Sequence, residues 1–204
     1  MAVRNLILDM GNVLLTWEPR AYALRAAGNG QDAEILYSAL FGSAGWPAHD
    51  AGQLDEEGLL HAALCRTPER LHPALKALHD QWPGWMVPVP GADAFTLRAF
   101  EAGLRLYLLS NAGTRFPRAL EGLSFYPRLH GAMVSAHEKL VKPDRRIYER
   151  LCGRFGLLPG QCLFVDDLRE NVDGAAASGM AAHLFDGDYA KVEHRLRGLG
   201  VILP

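Results

Sequence analysis

Residues 5–14 read NLILDMGNVL, and this stretch decides the fold that we expect. Its first apolar run ends in the carboxylate of Asp9, and Gly11 lets the chain turn tightly before a second apolar run. A short strand that ends in an acid presents that acid at a strand's carboxyl end, where ligands bind in open α/β sheets. We therefore take Asp9 as the centre of the chemistry.

The second half of the sequence alternates between strand and helix patterns. Strands are predicted at 104–109, 131–135, 162–165 and 181–185, and helical stretches lie between them, one of which is predicted to begin at Pro143. This alternation favours a parallel sheet with helices on both faces. We expect an α/β fold with a doubly wound parallel sheet, built from residues 1–16 and 89–204.

Residues 17–88 have a different character, because they contain helical patterns and no convincing strand. Asp55 is a plausible N-cap for one of these helices, and Thr67 is a plausible N-cap for the last one, with Pro68 as its first residue. We expect this segment, called the helical insertion below, to form an all-α unit inserted after the first strand.

Composition excludes several classes of protein. The formal net charge of the 204 residues is −2, so there is no electrostatic case for binding nucleic acid or an anionic membrane surface. The three cysteines form no CxxC pair, which favours buried thiols in a reducing compartment. No signal peptide and no run of about 18 apolar residues is evident. We expect a soluble cytoplasmic protein, either a monomer or a homodimer.

Polar residues follow the strands at the edge of the predicted sheet where Asp9 lies. Converging carboxylates suit Mg²⁺, and a carboxylate beside such a cation can attack phosphorus. A hydroxyl, an ammonium and the backbone N–H groups after Asp9, beginning at Met10, can neutralise phosphate oxygens. This inventory fits phosphoryl transfer through an aspartyl phosphate. The polar residues of this set that come after the first strand are Ser110, Asn111, Lys142, Asp166, Asp167 and Asn171.

Four motifs resemble, in order and spacing, those of the haloacid dehalogenase-like hydrolase superfamily. They are DMGNVL at 9–14, Ser110-Asn111, Lys142-Pro143, and Asp166-Asp167 with Asn171. The helical insertion resembles the small helical cap of that superfamily, and residues 45–55 resemble the cap of bacterial sugar-phosphate phosphatases. The resemblance covers the whole chain, and it implies a Mg²⁺-dependent phosphatase acting on a small phosphorylated metabolite, for which a sugar phosphate is one candidate.

The resemblance also implies a role for each motif residue. Asp9 would be the nucleophile and a Mg²⁺ ligand. Lys142 would bridge the phosphate and the nucleophile, while Ser110 and the N–H of Asn111 would hold the phosphate. The remaining metal-binding roles fall to the carbonyl of Gly11, to Asp167 together with Asp166, and to Asn171, which would hold a metal-bound water.

Gly11 departs from the pattern of the superfamily. Most of its phosphatases have a second Asp at this position, which protonates the leaving group and then activates water. Loss of a general acid and base typically costs about 10²- to 10⁴-fold in rate. Either another group supplies the proton, or the leaving group needs little protonation, or the protein is slow or inactive. Three nearby proton carriers are candidates, namely Thr16, Glu18 and His49.

Two further questions stay open at this stage. Trp17 and Trp46 flank the insertion and either face the substrate or pack in the interior. A metal-independent 2-haloacid dehalogenase of the same superfamily and a non-catalytic phosphate-ligand-binding or regulatory protein are the alternative functions. The Asp166-Asp167 pair argues against the dehalogenase, because uncompensated acids would hinder the binding of a carboxylate substrate. Gly11 motivates the non-catalytic alternative.

Overall fold

The computed structural model describes residues 3–204, apart from the side chains of residues 116 and 117, and its centre is a five-stranded sheet. All strand pairs are parallel, and the order is β3-β2-β1-β4-β5. The strands are β1 Asn5–Leu8, β2 Arg105–Ser110, β3 Leu129–Val134, β4 Cys162–Asp166 and β5 Ala181–Leu184. The chain moves outward from β1 to β3 and then returns to the other side of β1, so the sheet is doubly wound as predicted.

Eleven α-helices accompany the sheet in the described part of the chain. The first five lie within the helical insertion, and the other six connect or follow the strands. In chain order they are α1 Pro19–Ala27, α2 Gly30–Leu40, α3 Gly45–Asp50, α4 Glu56–Leu64, α5 His72–Gln81, α6 Ala92–Glu101, α7 Phe116–Leu120, α8 Ser135–Glu138, α9 Arg145–Phe155, α10 Arg169–Ala177 and α11 Tyr189–Gly198.

Both faces of the sheet are covered, which explains why β1 is apolar from Leu6 to Leu8. Leu6 and Leu8 belong to the larger hydrophobic cluster, which also contains residues of the helical insertion. Ile7 points to the opposite face and belongs to a second cluster with residues of α9 and α10, including Tyr148 and Ala175. A parallel strand buried on both faces carries a continuous apolar run rather than an alternating one.

Several helix boundaries follow the local signals in the sequence. Pro19 opens α1, and Gly28 ends it in the left-handed conformation that glycine adopts without strain. The Asp55 side chain accepts a hydrogen bond from the Gly58 backbone N–H at the start of α4, so the predicted cap is confirmed.

Two predicted helix starts are wrong. The Thr67 hydroxyl donates to the Ala63 carbonyl at the end of α4 instead of capping the next helix. A 3₁₀ turn follows, and α5 begins only at His72. Similarly, Pro143 precedes α9 by two residues, because the Asp144 side chain accepts from the Arg146 N–H and caps the helix there. Proline marks the approach to a helix in both cases without being its first residue.

The insertion contributes α1 to α5 and no strand among its described residues. The short helix α3 was not predicted, since six residues that include a proline give no clear periodicity. The α1–α2 pair packs closely, and α5 contacts α1, α2 and α4. None of the helices among residues 3–204 has the length and apolar character that a membrane crossing needs.

Candidate active site

A cavity of about 420 Å³ lies at the carboxyl ends of β1 and β2, between the sheet and the helical insertion. The sheet side contributes predicted site residues, and the insertion side contributes mostly apolar ones. Among the predicted residues, the cavity is lined by Asp9, Met10, Gly11, Trp17, Trp46, Ser110, Asn111, Lys142, Asp167 and Asn171. The unpredicted lining residues are Asn12, Asp50, Trp82, Met86, Ala112, Gly113 and Leu168.

The Lys142 side chain joins the acids at the base of this cavity. Its Nζ donates to Asp9 Oδ1 at 2.8 Å, to Asp166 Oδ2 at 2.6 Å and to the Leu109 carbonyl at 3.0 Å. The lysine is only 4% exposed, so these three acceptors replace the water that an ammonium normally holds. The predicted juxtaposition of Asp9 and Lys142 is therefore present in the structure.

Burial controls the charges of this pair. Burial raises the pKa of Asp9 to about 6, although the Lys142 ammonium acts in the opposite direction, and the nearby Asp166 adds to the increase. Burial also tends to lower the pKa of Lys142, but the charges of Asp9 and Asp166 outweigh it and raise that pKa. The lysine is thus held in its charged form beside the candidate nucleophile.

The two acids after β4 are held in different ways. Asp166 is fully buried and accepts hydrogen bonds from the Leu168 N–H at 2.9 Å and from Asn171 Nδ2 at 3.0 and 3.1 Å. The Asn171 amide thus orients Asp166. Asp167 borders the cavity and accepts from Asn12 Nδ2 at 2.9 Å, while burial raises its pKa. Asp166 itself stands behind the cavity wall, in contact with Lys142.

Asn12 is a site residue that sequence reasoning did not single out. Its backbone has φ of 54°, in the left-handed region that asparagine tolerates better than most residues. Its side-chain oxygen accepts from the Trp17 N–H at 3.0 Å while its amide holds Asp167. Asn12 therefore connects the turn after β1 to the acid after β4.

The carboxylates can accommodate a divalent cation. Asp9, Asp166 and Asp167 each offer an oxygen, and the three oxygens lie within 4.8 Å of one another. Three carboxylates face a single ammonium, so two negative charges remain uncompensated when all three acids are ionised. Hard oxygen ligands and a deficit of two positive charges match Mg²⁺. The donor set therefore fits the metal that the sequence predicts.

The loop after β2 is fixed by Lys142, which lies three residues before α9. Asn111 Nδ2 donates to the Lys142 carbonyl at 2.9 Å, and the Lys142 N–H donates to Asn111 Oδ1 at 2.8 Å. The Asn111 side chain thus positions the backbone of the lysine. Ser110 is 2% exposed and lines the cavity, where its hydroxyl can donate to a ligand oxygen.

Aromatic side chains form the opposite wall. The rings of Trp17 and Trp46 stack with centroids 5.5 Å apart, and Trp82 packs edge-on against both, at 5.2 and 5.5 Å. Met86 also lines the cavity. Trp17 and Trp46 therefore pack against each other and border the cavity at the same time, which gives the cavity one charged side and one apolar side.

None of the three predicted proton carriers lines the cavity. The Thr16 hydroxyl lies near the Val87 N–H at 3.4 Å, and Glu18 precedes the first residue of α1. His49 is buried, and its Nε2 lies 2.9 Å from Glu56 Oε1. The carboxylate that does line the cavity is Asp50, the next residue along the chain.

Comparison with known proteins agrees with this architecture. A sequence model of the haloacid dehalogenase-like hydrolase family matches residues 3–179. The sesquiterpene phosphatase astK of Aspergillus oryzae (strain ATCC 42149 / RIB 40) is 25% identical over 187 residues, which cover 88% of this chain and 89% of that protein. The (S)-2-haloacid dehalogenase 4A of Burkholderia cepacia is 27% identical over 111 residues, covering 50% and 48% of the two chains.

A solved structure shares the fold. HAD family enzyme BT-2542 of Bacteroides thetaiotaomicron, crystallised with magnesium and inorganic phosphate, has a TM-score of 0.72 at 17% identity, covering 93% of this chain and 98% of that one. The doubly wound sheet, with its acids at the carboxyl edge, has its cavity where α/β proteins bind their ligands. The match over residues 3–179 identifies the protein further, and the chain belongs to the haloacid dehalogenase-like hydrolase family.

Proposed function

We propose that the protein is a Mg²⁺-dependent phosphatase that hydrolyses a small phosphomonoester through an aspartyl phosphate on Asp9. The observation that carries the proposal is the buried Lys142 ammonium between Asp9 and Asp166, with Asp167 close enough to complete a cation site. Substrate phosphate brings further negative charge, which this arrangement tolerates only when a divalent cation accompanies it.

Each residue has a separate task in this reaction. Asp9 attacks phosphorus, and Lys142 holds the attacking carboxylate in place and neutralises a phosphate oxygen. The Ser110 hydroxyl, the N–H of Asn111 and the N–H of Met10 donate to the remaining oxygens. Mg²⁺, held by Asp9, Asp166, Asp167 and the Gly11 carbonyl, would supply Lewis-acid neutralisation of the transferring group.

The helical insertion completes the site in this proposal. Residues 17–88 would act as a cap that excludes water while the aspartyl phosphate forms and opens to release the product. Its tryptophans face the position of the leaving group, so they would contact the organic part of the substrate. The partner is then a small phosphorylated metabolite, for which a sugar phosphate is one candidate because aromatic rings also pack against sugar faces.

A metal-independent 2-haloacid dehalogenase is the second candidate. It is favoured by the partial match to the Burkholderia cepacia dehalogenase and by the apolar wall. Its substrate carboxylate would have to bind beside Asp167, whose side chain forms no ion pair among the described residues. That repulsion makes the phosphatase the better supported of the two.

Hydrolysis of p-nitrophenyl phosphate tests the proposal. We expect turnover with Mg²⁺, loss of turnover in EDTA, and loss of turnover in Asp9→Asn. Asp173→Asn removes an exposed acid of α10 and is the matched control, which should keep full activity. Halide release from 2-chloropropionate without metal would instead identify the dehalogenase. If neither substrate is turned over, the non-catalytic interpretation replaces both.

A further inference from the structure

Asp50 is the one titratable side chain that the helical insertion gives to the cavity, as far as the described residues show. The other lining residues from the insertion are Trp17, Trp46, Trp82 and Met86, none of which exchanges protons at ordinary pH. Among the described residues, the carboxylate is therefore the one ionisable group on the apolar wall of the cavity.

Although Asp50 belongs to the helical insertion, its backbone is hydrogen-bonded to a residue of the α/β core. Ser135 Oγ donates to the Asp50 carbonyl at 2.5 Å, and the same oxygen accepts from the Ala112 N–H at 2.9 Å. Ala112 lies two residues after Ser110, in the loop that follows β2. Two residues after Asp50, Gly52 approaches the Ala136 carbonyl so closely that an added Cβ would lie 2.2 Å from that oxygen. These contacts hold Asp50 in a defined position relative to the candidate phosphate-binding loop.

The Asp50 side chain lacks the partners that usually hold a carboxylate in its ionised form. Among the described residues, its Oδ1 is buried and has no hydrogen-bond partner, and the basic atom that pairs with it is His49 Nδ1 at 3.9 Å. The ionisable groups that act on it are His49 on α3, Glu56 on α4 and Asp9 after β1. Burial raises the pKa of Asp50 to about 7; His49 opposes this shift, whereas Asp9 and Glu56 reinforce it.

The turn after β1 offers no comparable group. Gly11 has no side chain, and a Cβ built on it would meet Trp17 Cβ at 3.7 Å. Resting on the phosphatase proposed above, we propose that Asp50 is the general acid and base of this site, supplied by the helical insertion in place of a carboxylate at residue 11. The geometry thus assigns the proton transfers to the insertion and the nucleophilic attack to the core.

The proposed reaction balances in two steps. An Asp9 oxygen forms a bond to phosphorus as the bond from phosphorus to the leaving-group oxygen breaks, and the Asp50 proton passes to that oxygen to give the free alcohol. In the second step, water attacks the phosphorus of the aspartyl phosphate and loses a proton to the Asp50 carboxylate, while the bond from phosphorus to the Asp9 oxygen breaks. Inorganic phosphate leaves, Asp9 is ionised again, and Asp50 is protonated again.

The dependence on the leaving group tests this assignment. Asp50→Asn keeps the shape of the side chain but cannot transfer a proton. We expect this variant to lower kcat/KM for an alkyl phosphate by about 100-fold or more, because an alkoxide is a poor leaving group. The first-turnover burst of p-nitrophenolate from p-nitrophenyl phosphate should stay within about 3-fold of wild type, since nitrophenolate leaves without protonation. A merely structural role would lower both rates together.

Three controls make the outcome decisive. Glu57→Gln changes an exposed acid on α4 and should leave both rates unchanged, while Asp50→Glu should recover part of the alkyl phosphate activity. If Asp50→Asn leaves the ratio of kcat/KM for the alkyl phosphate to kcat/KM for the aryl phosphate at the wild-type value, the assignment of Asp50 is overturned. The proposed phosphatase function is not affected by that result. If wild type itself shows no Mg²⁺- and Asp9-dependent phosphate release, the proposed function fails, and Asp50 fails with it.

Discussion

Replacing Lys142 by methionine is the sharpest perturbation of the charged cluster. The substitution keeps a long, flexible side chain but removes the ammonium that contacts Asp9 at 2.8 Å and Asp166 at 2.6 Å. Both acids are buried, so they become uncompensated charges. Removing one partner of a buried ion pair costs about 3–5 kcal/mol. We expect Lys142→Met to lose that much unfolding free energy at pH 8 without metal.

The loss should depend on pH in a defined direction. Burial already raises the pKa of Asp9 to about 6, and Lys142 counteracts this increase, so its removal raises the pKa further. A carboxyl whose folded-state pKa is raised loses its stabilising contribution as pH rises through that pKa. The deficit of Lys142→Met relative to wild type should therefore be largest at pH 8 and become smaller at pH 5.

Urea unfolding followed by tryptophan fluorescence measures this loss, with EDTA and separately with Mg²⁺. Mg²⁺ should restore part of the lost stability, because a cation bound to the folded state supplies positive charge to the same acids. Lys191→Met, which removes an exposed ion pair with Asp186, is the control and should behave almost like wild type. A deficit below about 1 kcal/mol in Lys142→Met at pH 8 would refute the argument that buried charge governs this cluster.

Three other predictions concern the insertion and its contact with the core. A Cβ on Gly113 would lie 1.8 Å from the His49 ring, so Gly113→Ala should cost about 1–3 kcal/mol in urea unfolding. Gly84→Ala should not, because a Cβ there would meet no described residue within 4 Å apart from its chain neighbours and its own helix. Trp46→Ala should raise KM for aryl phosphates while leaving inhibition by inorganic phosphate nearly unchanged, because the ring borders the apolar side of the cavity. Asp50→Asn should gain stability relative to wild type as pH rises from 4 to 8 in metal-free buffer, by about 4 kcal/mol at most, because wild type must ionise a buried carboxyl. Equal pH profiles for the two proteins would contradict the burial of Asp50.

The sequence is most informative about the sheet and the residues at its strand ends. Asp9, Ser110 and Asp166 each follow an apolar run, so their convergence follows from parallel pairing alone. The structure confirms the doubly wound order. The order was predictable because alternating strands and helices leave few other topologies. Strand ends shift by one or two residues, as at Ser135, which begins α8 instead of ending β3.

The sequence does not predict in the same way which residues of the helical insertion line the cavity. Asp50 lies on a six-residue helix, and its position depends on contacts with Ser135, distant in sequence, rather than on a local pattern. The role of Asn171 in orienting Asp166 also depends on tertiary geometry. Local signals identify a strand end or a helix cap, whereas they do not reveal which side chain from another segment will face it.

Chemical trapping of Asp9 tests the central claim most directly. The protein is mixed with Mg²⁺ and substrate, quenched during turnover, and reduced with borohydride, which converts an acyl phosphate of aspartate to homoserine. The proposed mechanism predicts homoserine at residue 9 in wild type only when substrate is present, and none in Asp9→Asn. Phosphate release by Asp9→Asn at the wild-type rate, or turnover by wild type with residue 9 left unmodified after reduction, would contradict it.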